Sequence, residues 1–277
     1  MKKIFYFILS HSIFIAICSA ALVLQTFQLL HLTVNYYTIA FIFFATLSSY
    51  NFYWLVSKNA FGKIKYDRSF FKNEFSNAFL FIAASVAMMI CFLKSSLIFY
   101  TILPGFVLTI LYALPLLPVK SLTFTKRLGI LKTVLLALTW VYVTVCVPVN
   151  KLIFDLSDSE LFVFARRFLF MLMLCIIFDS RDSAMDKIRG LHSLATDLSQ
   201  RALRTLVIIV FIALFSTFLF HERFNISLYQ SIALQISTVA LLVVFYFSTK
   251  KQDYGFYYFI VDGMMLFSAM ATYIASI

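Results

Sequence analysis

The stretch Phe178–Ala195, FDSRDSAMDKIRGLHSLA, follows an apolar run too long for an ordinary core helix and places three carboxylates within about two helical turns. Asp179, Asp182 and Asp186 stand at i, i+3 and i+7. At about 100° per residue they fall within roughly 60° of one another, on one helical face. Arg181, Lys187 and Arg189 lie off that face and partly balance it. Like charges on one side of a helix repel, so solvent, neighbouring cations or a divalent metal must offset them. Oxygen-only ligands of this kind suit Mg²⁺, which keeps waters and takes one or two carboxylates together with substrate phosphates. The plain alternative is a solvated helix end balanced by its own arginines.

The rest of the chain says which solvent surrounds that stretch. Of 277 residues, 62% are hydrophobic and 13% charged, 34 are phenylalanine, and mean hydropathy is +0.94. Soluble domains carry about 25% charged residues, so most of this chain is expected to be solvated by lipid. A hydrocarbon core of about 30 Å takes about 20 apolar residues per helix. That leaves room for nine spans with short loops, a single integral-membrane helical bundle over residues 1–277. The formal charge of +11 would suggest nucleic acid for a soluble protein. Here it fits loop bias and anionic lipid headgroups, and no nucleic-acid partner is expected. Cys18, Cys91, Cys146 and Cys175 all sit in apolar runs without C-x-x-C spacing, which supports neither a disulfide framework nor a zinc site. No P-loop, GxGxxG, HExxH or Ser/His/Asp arrangement is present.

The aspartate spacing, followed by Gly190 and then Ser193-Leu194-Ala195, resembles the second aspartate-rich motif of the UbiA family of intramembrane prenyltransferases. The resemblance implies that Asp179, Asp182 and Asp186 hold Mg²⁺ against the diphosphate of a polyprenyl donor, where a transmembrane helix runs on into a cytoplasmic cap. It also implies an all-α bundle with a lateral opening to membrane lipid and a hydrophobic acceptor. The family's first motif, Asn-Asp-x-x-Asp-x-x-x-Asp, falls on the end of the second span. Here Asn51 matches the leading Asn, but Phe52 and Leu55 occupy the next two aspartate positions and Asn59 the last. A neutral amide donates to phosphate or ligates weakly and does not hold Mg²⁺ as a carboxylate does. The plain reading of this segment is an aromatic helix end at the headgroup belt with one hydrogen-bonded Asn. Tyr112 aligns with the tyrosine of the family's Tyr-x-x-x-Lys element, whose lysine is replaced by Leu116. No Thr-x-x-Arg-Pro appears in the basic loop Lys58–Lys72.

Read in order, the expected spans are about Phe5–Leu29, Tyr36–Val56, Phe75–Leu93, Leu97–Leu117, Leu131–Val149, Leu161–Phe178, Arg201–Phe220, Ile226–Phe247 and Tyr254–Ile274. The first is read as an uncleaved span. Its Ser10, His11, Ser12, Ser19, Gln25 and Gln28 require partners inside the bundle, with His11 read as an interhelical hydrogen-bonding residue. Pro104-Gly105 predicts a kink whose freed carbonyls neighbours must satisfy. Arg166 and Arg167 lie inside the sixth span. Being about 100° apart, they are expected to face different surroundings, one of them snorkelling outward or pairing with Asp155, Asp158 or Glu160. Asp262, mid-span, is expected to pair with an intramembrane arginine or a polar group of the first span.

With the N-terminus inside, eighteen of the 23 basic residues fall on the inner side and three (Lys94, Lys151, Arg223) outside. That places the end of the second span, the fourth-to-fifth loop with Lys126 and Arg127, and the three aspartates on one cytoplasmic side. The expected location is a bacterial inner membrane. Lys126, Arg127 and Lys187 are the expected diphosphate-binding cations. Tyr50, Tyr53, Trp54 and Tyr112 would present ring faces to a carbocation. The competing expectation is a catalytically decayed protein on the same scaffold, acting as a binding or complex subunit; a transporter is the third.

Overall fold

The computed structural model describes residues 2–61, 74–113, 129–189, 192–250 and 252–277, with the side chains of 2–3, 57–61, 74–75, 113, 129 and 184–189 left undescribed. Lys126, Arg127 and most of the Lys58–Lys72 loop therefore lie outside the described residues. Helix dominates, and no strand occurs among the described residues. Seven helical stretches are long and apolar enough to cross a membrane, or eight if a bent first pair counts as one span. The expected nine is not reached by that measure. Among the described residues the remaining apolar segment is α5 (Phe99–Ala113), of which 15 residues are described.

The first expected span is broken in two. α1 (Lys2–Ser10) and α2 (Ile13–Leu29) meet at 68°, with Ser12 between them at φ 61°. α3 (Tyr36–Phe61) and α4 (Glu74–Lys94) form a closely packed pair, and α2 packs between α3 and the last helix, α12 (Asp262–Ile274). In α5, Pro104 removes one helical hydrogen bond, and the Thr101 carbonyl a turn earlier accepts from the Tyr142 hydroxyl at 2.9 Å. Gly105 permits that approach, since a Cβ there would lie 3.2 Å from the Tyr142 ring. Tyr142 belongs to a π-helical turn, Tyr142–Cys146, that joins α6 (Gly129–Val141) to the short α7 (Val147–Val149).

The centre is α8 (Asp158–Arg189), 32 residues and so about 48 Å long, well beyond the hydrocarbon thickness. The aspartate stretch is thus the continuation of a span, without a break. Of its apolar window 67% is buried, against 6% for α4, so α8 is the axis and α4 a lipid-facing wall. Phe170–Ile177 packs with residues of α2, α6 and α12 in one core cluster. Val163 and Phe164 belong to a second, with Val23, Ile42 and Val145. Past α8 the chain folds back. The Ser193 N–H donates to Thr196 Oγ1 at 2.7 Å at the start of α9 (Leu194–Asp197), and Leu194 and Ala195 are buried in the first cluster. α10 (Gln200–Ser216) and α11 (Leu228–Ser248) complete the wall against α8 and α12.

Candidate functional site

Five helices bring polar and aromatic groups to the Asp179 end of α8. Asp179 accepts a short hydrogen bond from Thr133 of α6, which is buried. Asp182, three residues on, is held bidentately by its neighbour Arg181, with Nε–Oδ1 and Nη2–Oδ2 both 2.7 Å. The Arg181 guanidinium is itself caged by Phe178, Tyr257 and Tyr258, with ring centroids at 5.0, 5.1 and 5.0 Å. Such a cage fixes the cation in place by its ring faces. Tyr257 and Tyr258 belong to a second π-helical turn, Phe256–Val261, which leads directly into Asp262 at the start of α12.

From the other side, Tyr53 of α3 stacks on Tyr112 of α5 at 6.2 Å, and Trp54 meets Tyr53 edge-on at 6.2 Å. Tyr50 approaches Trp140 of α6 at 6.3 Å. Tyr112 lies within electrostatic range of Tyr50, Asp179 and Cys175, and Tyr50 within range of Asp262. The tyrosines of α3 and α5 and the first aspartate of α8 therefore share one end of the bundle. Asp186 and Lys187 continue the helix there, their side chains undescribed.

Asn51 is turned to a different task. Its amide Nδ2 donates to the His11 carbonyl at 3.1 Å and to Leu47 O at 2.8 Å, and its Oδ1 is enclosed without a partner among the described residues. The His11 carbonyl is exposed by the break between α1 and α2, so the one matching residue of the first motif braces a helix bend. Phe52, where the resemblance has an aspartate, packs on Phe81 of α4 at 5.4 Å. The inward face of α3 is Tyr50 and Tyr53.

Asp262 also departs from expectation. It is 4% exposed, and its side chain makes no hydrogen bond or ion pair among the described residues. The cation within its electrostatic range is Arg181, thus at the Asp179 end, rather than Arg166 or Arg167. The triple Tyr254, Tyr257, Tyr258 before Asp262, at helical spacing, was the available signal that this segment faces a polar chamber.

Arg166 and Arg167 neither snorkel nor pair with the acidic loop. Glu160 is taken by Lys151 at 2.9 Å and by the Ser157 N–H at 2.7 Å. Both arginines are buried and donate to neutral acceptors, and both border one pocket in spite of their angular offset. Long side chains converge where Cα directions diverge. His11 is interhelical as expected, its Nε2 being 2.8 Å from Ser76 Oγ.

The metal set can be weighed on these contacts. No group of three or more His, Cys, Asp or Glu is placed to hold a metal among the described residues. Asp179 and Asp182 come from one helix, and both Asp182 oxygens are engaged by Arg181. The first-motif side supplies no carboxylate.

No protein-family model matches the chain, and no curated protein does. Two solved structures share its fold. One is the apo form of a UbiA homolog from Aeropyrum pernix K1, matched over 94% of this chain and 96% of that one at 12% identity, with a TM-score of 0.57. The other is a digeranylgeranylglyceryl phosphate synthase, matched over 100% and 99% at 12% identity, with a TM-score of 0.56. The chain is an integral membrane protein with a UbiA-like fold.

Proposed function

We propose that this protein is an intramembrane transferase that moves a polyprenyl group from its diphosphate to an aromatic or lipid acceptor. The observation that carries the reading is the meeting of Asp179, Arg181, Asp182 and the tyrosines Tyr50, Tyr53 and Tyr112 at one end of a UbiA-like bundle. Arg181 binds the diphosphate electrostatically, and its aromatic cage keeps it from following the leaving group. Tyr53, Trp54 and Tyr112 line the path of the departing allylic cation with ring faces. The apolar wall excludes water that would quench it. Asp179, Asp182 and Asp186 are the residues to hold Mg²⁺, whose chemistry is neutralisation of diphosphate charge. Lys126, Arg127 and Lys187 add cations on the same side. The remaining parts of the proposal are nine spans, one domain over residues 1–277, an N-terminus inside, and a bacterial inner membrane.

The test is release of diphosphate from a labelled prenyl diphosphate by the protein in nanodiscs, with and without Mg²⁺. Release that is abolished by Asp179→Asn and Asp182→Asn supports the reading. Binding that is independent of metal and indifferent to both substitutions rejects it. One observation favours a second reading, a scaffold that has lost its chemistry: Asn51 is committed to two backbone carbonyls. That reading expects prenyl diphosphate to be bound, if at all, without turnover.

A further inference from the structure

Some 20 Å along α8 from Asp179, thirteen residues at about 1.5 Å each, lies a second charged centre of the opposite sign. Arg166 and Arg167 are 6% and 5% exposed. Arg166 Nη2 donates to Leu234 O at 2.9 Å and to Thr238 Oγ1 at 3.2 Å. Arg167 Nη1 donates to Leu22 O at 3.0 Å and Nη2 to Gln25 Oε1 at 2.9 Å. Gln25 is fixed in turn by Ser268 and Thr272, its Nε2 donating to Ser268 O, Ser268 Oγ and Thr272 Oγ1 at 3.0–3.1 Å. Every one of these acceptors is neutral. Among the described residues neither guanidinium has a carboxylate partner, and the nearest acid on the helix, Glu160, is already held by Lys151.

A guanidinium carries five N–H donors. Nε and Nη1 of Arg166 and Nε of Arg167 make no protein hydrogen bond among the described residues. Nor are they sealed off, because the fully enclosed atoms without partners lie at Gln28, Asn51, Asn77, Ser193 and Gln235. Both arginines line a cavity of about 20 Å³ whose apolar walls include Leu22, Phe170 and Leu234. Two adjacent buried cations without counter-charge are costly at this depth.

We infer that this cavity is a binding site for a monatomic anion of chloride size, held between Arg166 and Arg167 at the end of α8 opposite the aspartates. The volume is that of about one water-sized particle, the scale of a single halide. Water would satisfy donors but not the charge. The anion ties α2, α8 and α11 together through the two guanidinium groups, and it is independent of any transfer chemistry at the other end.

The test is thermal unfolding of the whole protein in phosphatidylcholine nanodiscs, with sodium chloride or bromide exchanged for sodium gluconate at constant ionic strength. The expected result is a saturable rise in Tm of about 3 °C at ten times the half-saturating halide. The rise is expected to vanish in Arg166→Gln/Arg167→Gln. Should that variant not fold, anomalous diffraction from wild-type crystals grown in bromide takes its place, with a peak expected between the two guanidinium groups. A wild-type Tm indifferent to halide overturns the site. So does a Tm that responds to phosphatidylglycerol and not to chloride, which would assign the counter-charge to a lipid phosphate.

Discussion

The two ends of α8 handle buried charge in opposite ways. At the Asp179 end, Asp182 meets a cation one residue away and keeps 42% of its side chain exposed. At the Arg166 end, two cations meet only carbonyl, amide and hydroxyl oxygens and are almost wholly enclosed. The first arrangement leaves ligand capacity on both signs, as the proposed diphosphate site requires. The second fixes every neighbour of the charge and leaves only a small cavity, as a site that holds its occupant requires. One helix thus carries a partly exposed ion pair at one end and two buried cations at the other.

The largest effect expected from breaking this contrast is at the open end. Asp182→Asn should lower diphosphate release by about 10²–10³-fold, the loss usual for one electrostatic group aimed at developing charge, with little change in Tm. At the closed end the effects should reverse. Arg167→Ala should destabilise the protein by about 2–4 kcal/mol in nanodisc unfolding, because Gln25 Oε1 and Leu22 O lose their donor. Release of diphosphate by the surviving folded fraction should stay near wild type. Equal losses of stability at both ends would remove the distinction.

A smaller effect sharpens it. Arg181→Lys keeps the charge but loses the bidentate grip on Asp182 and the fit within the Phe178–Tyr257–Tyr258 cage, so prenyl diphosphate binding should weaken about tenfold by titration. The smallest is Asn51→Ala. If Asn51 only braces the bend at His11, the loss should be about 1 kcal/mol of stability, with unchanged diphosphate affinity. A large loss of affinity at unchanged Tm would restore Asn51 to the site.

Much of the fold was legible because lipid imposes a simple rule: each crossing needs a long apolar helix. The expected Tyr36–Val56 span coincides with the one observed, and the observed Ile130–Val149 and Leu228–Ser248 differ from the expected Leu131–Val149 and Ile226–Phe247 by no more than two residues at either end. The first span was legible as apolar but not as bent. Ser12 carries no glycine or proline signal, and its positive φ is sustained by the Asn51 bracket from another helix.

What the chain determined by itself was periodicity and composition: a helical membrane protein, with Asp179 and Asp182 three residues apart at the end of its most buried helix. Those follow from covalent spacing and from the free energy of placing side chains in lipid. Which groups those side chains meet was decided by tertiary structure alone. Thr133 is 46 residues from Asp179, Leu234 is 68 from Arg166, and Gln25 is 142 from Arg167. Hydrogen bonds over such separations depend on how whole helices rotate against one another. A rotation of one residue, about 100°, exchanges Phe52 for Tyr53 on the inward face. That rotation is set by the packing of the entire bundle, and no local pattern contains it.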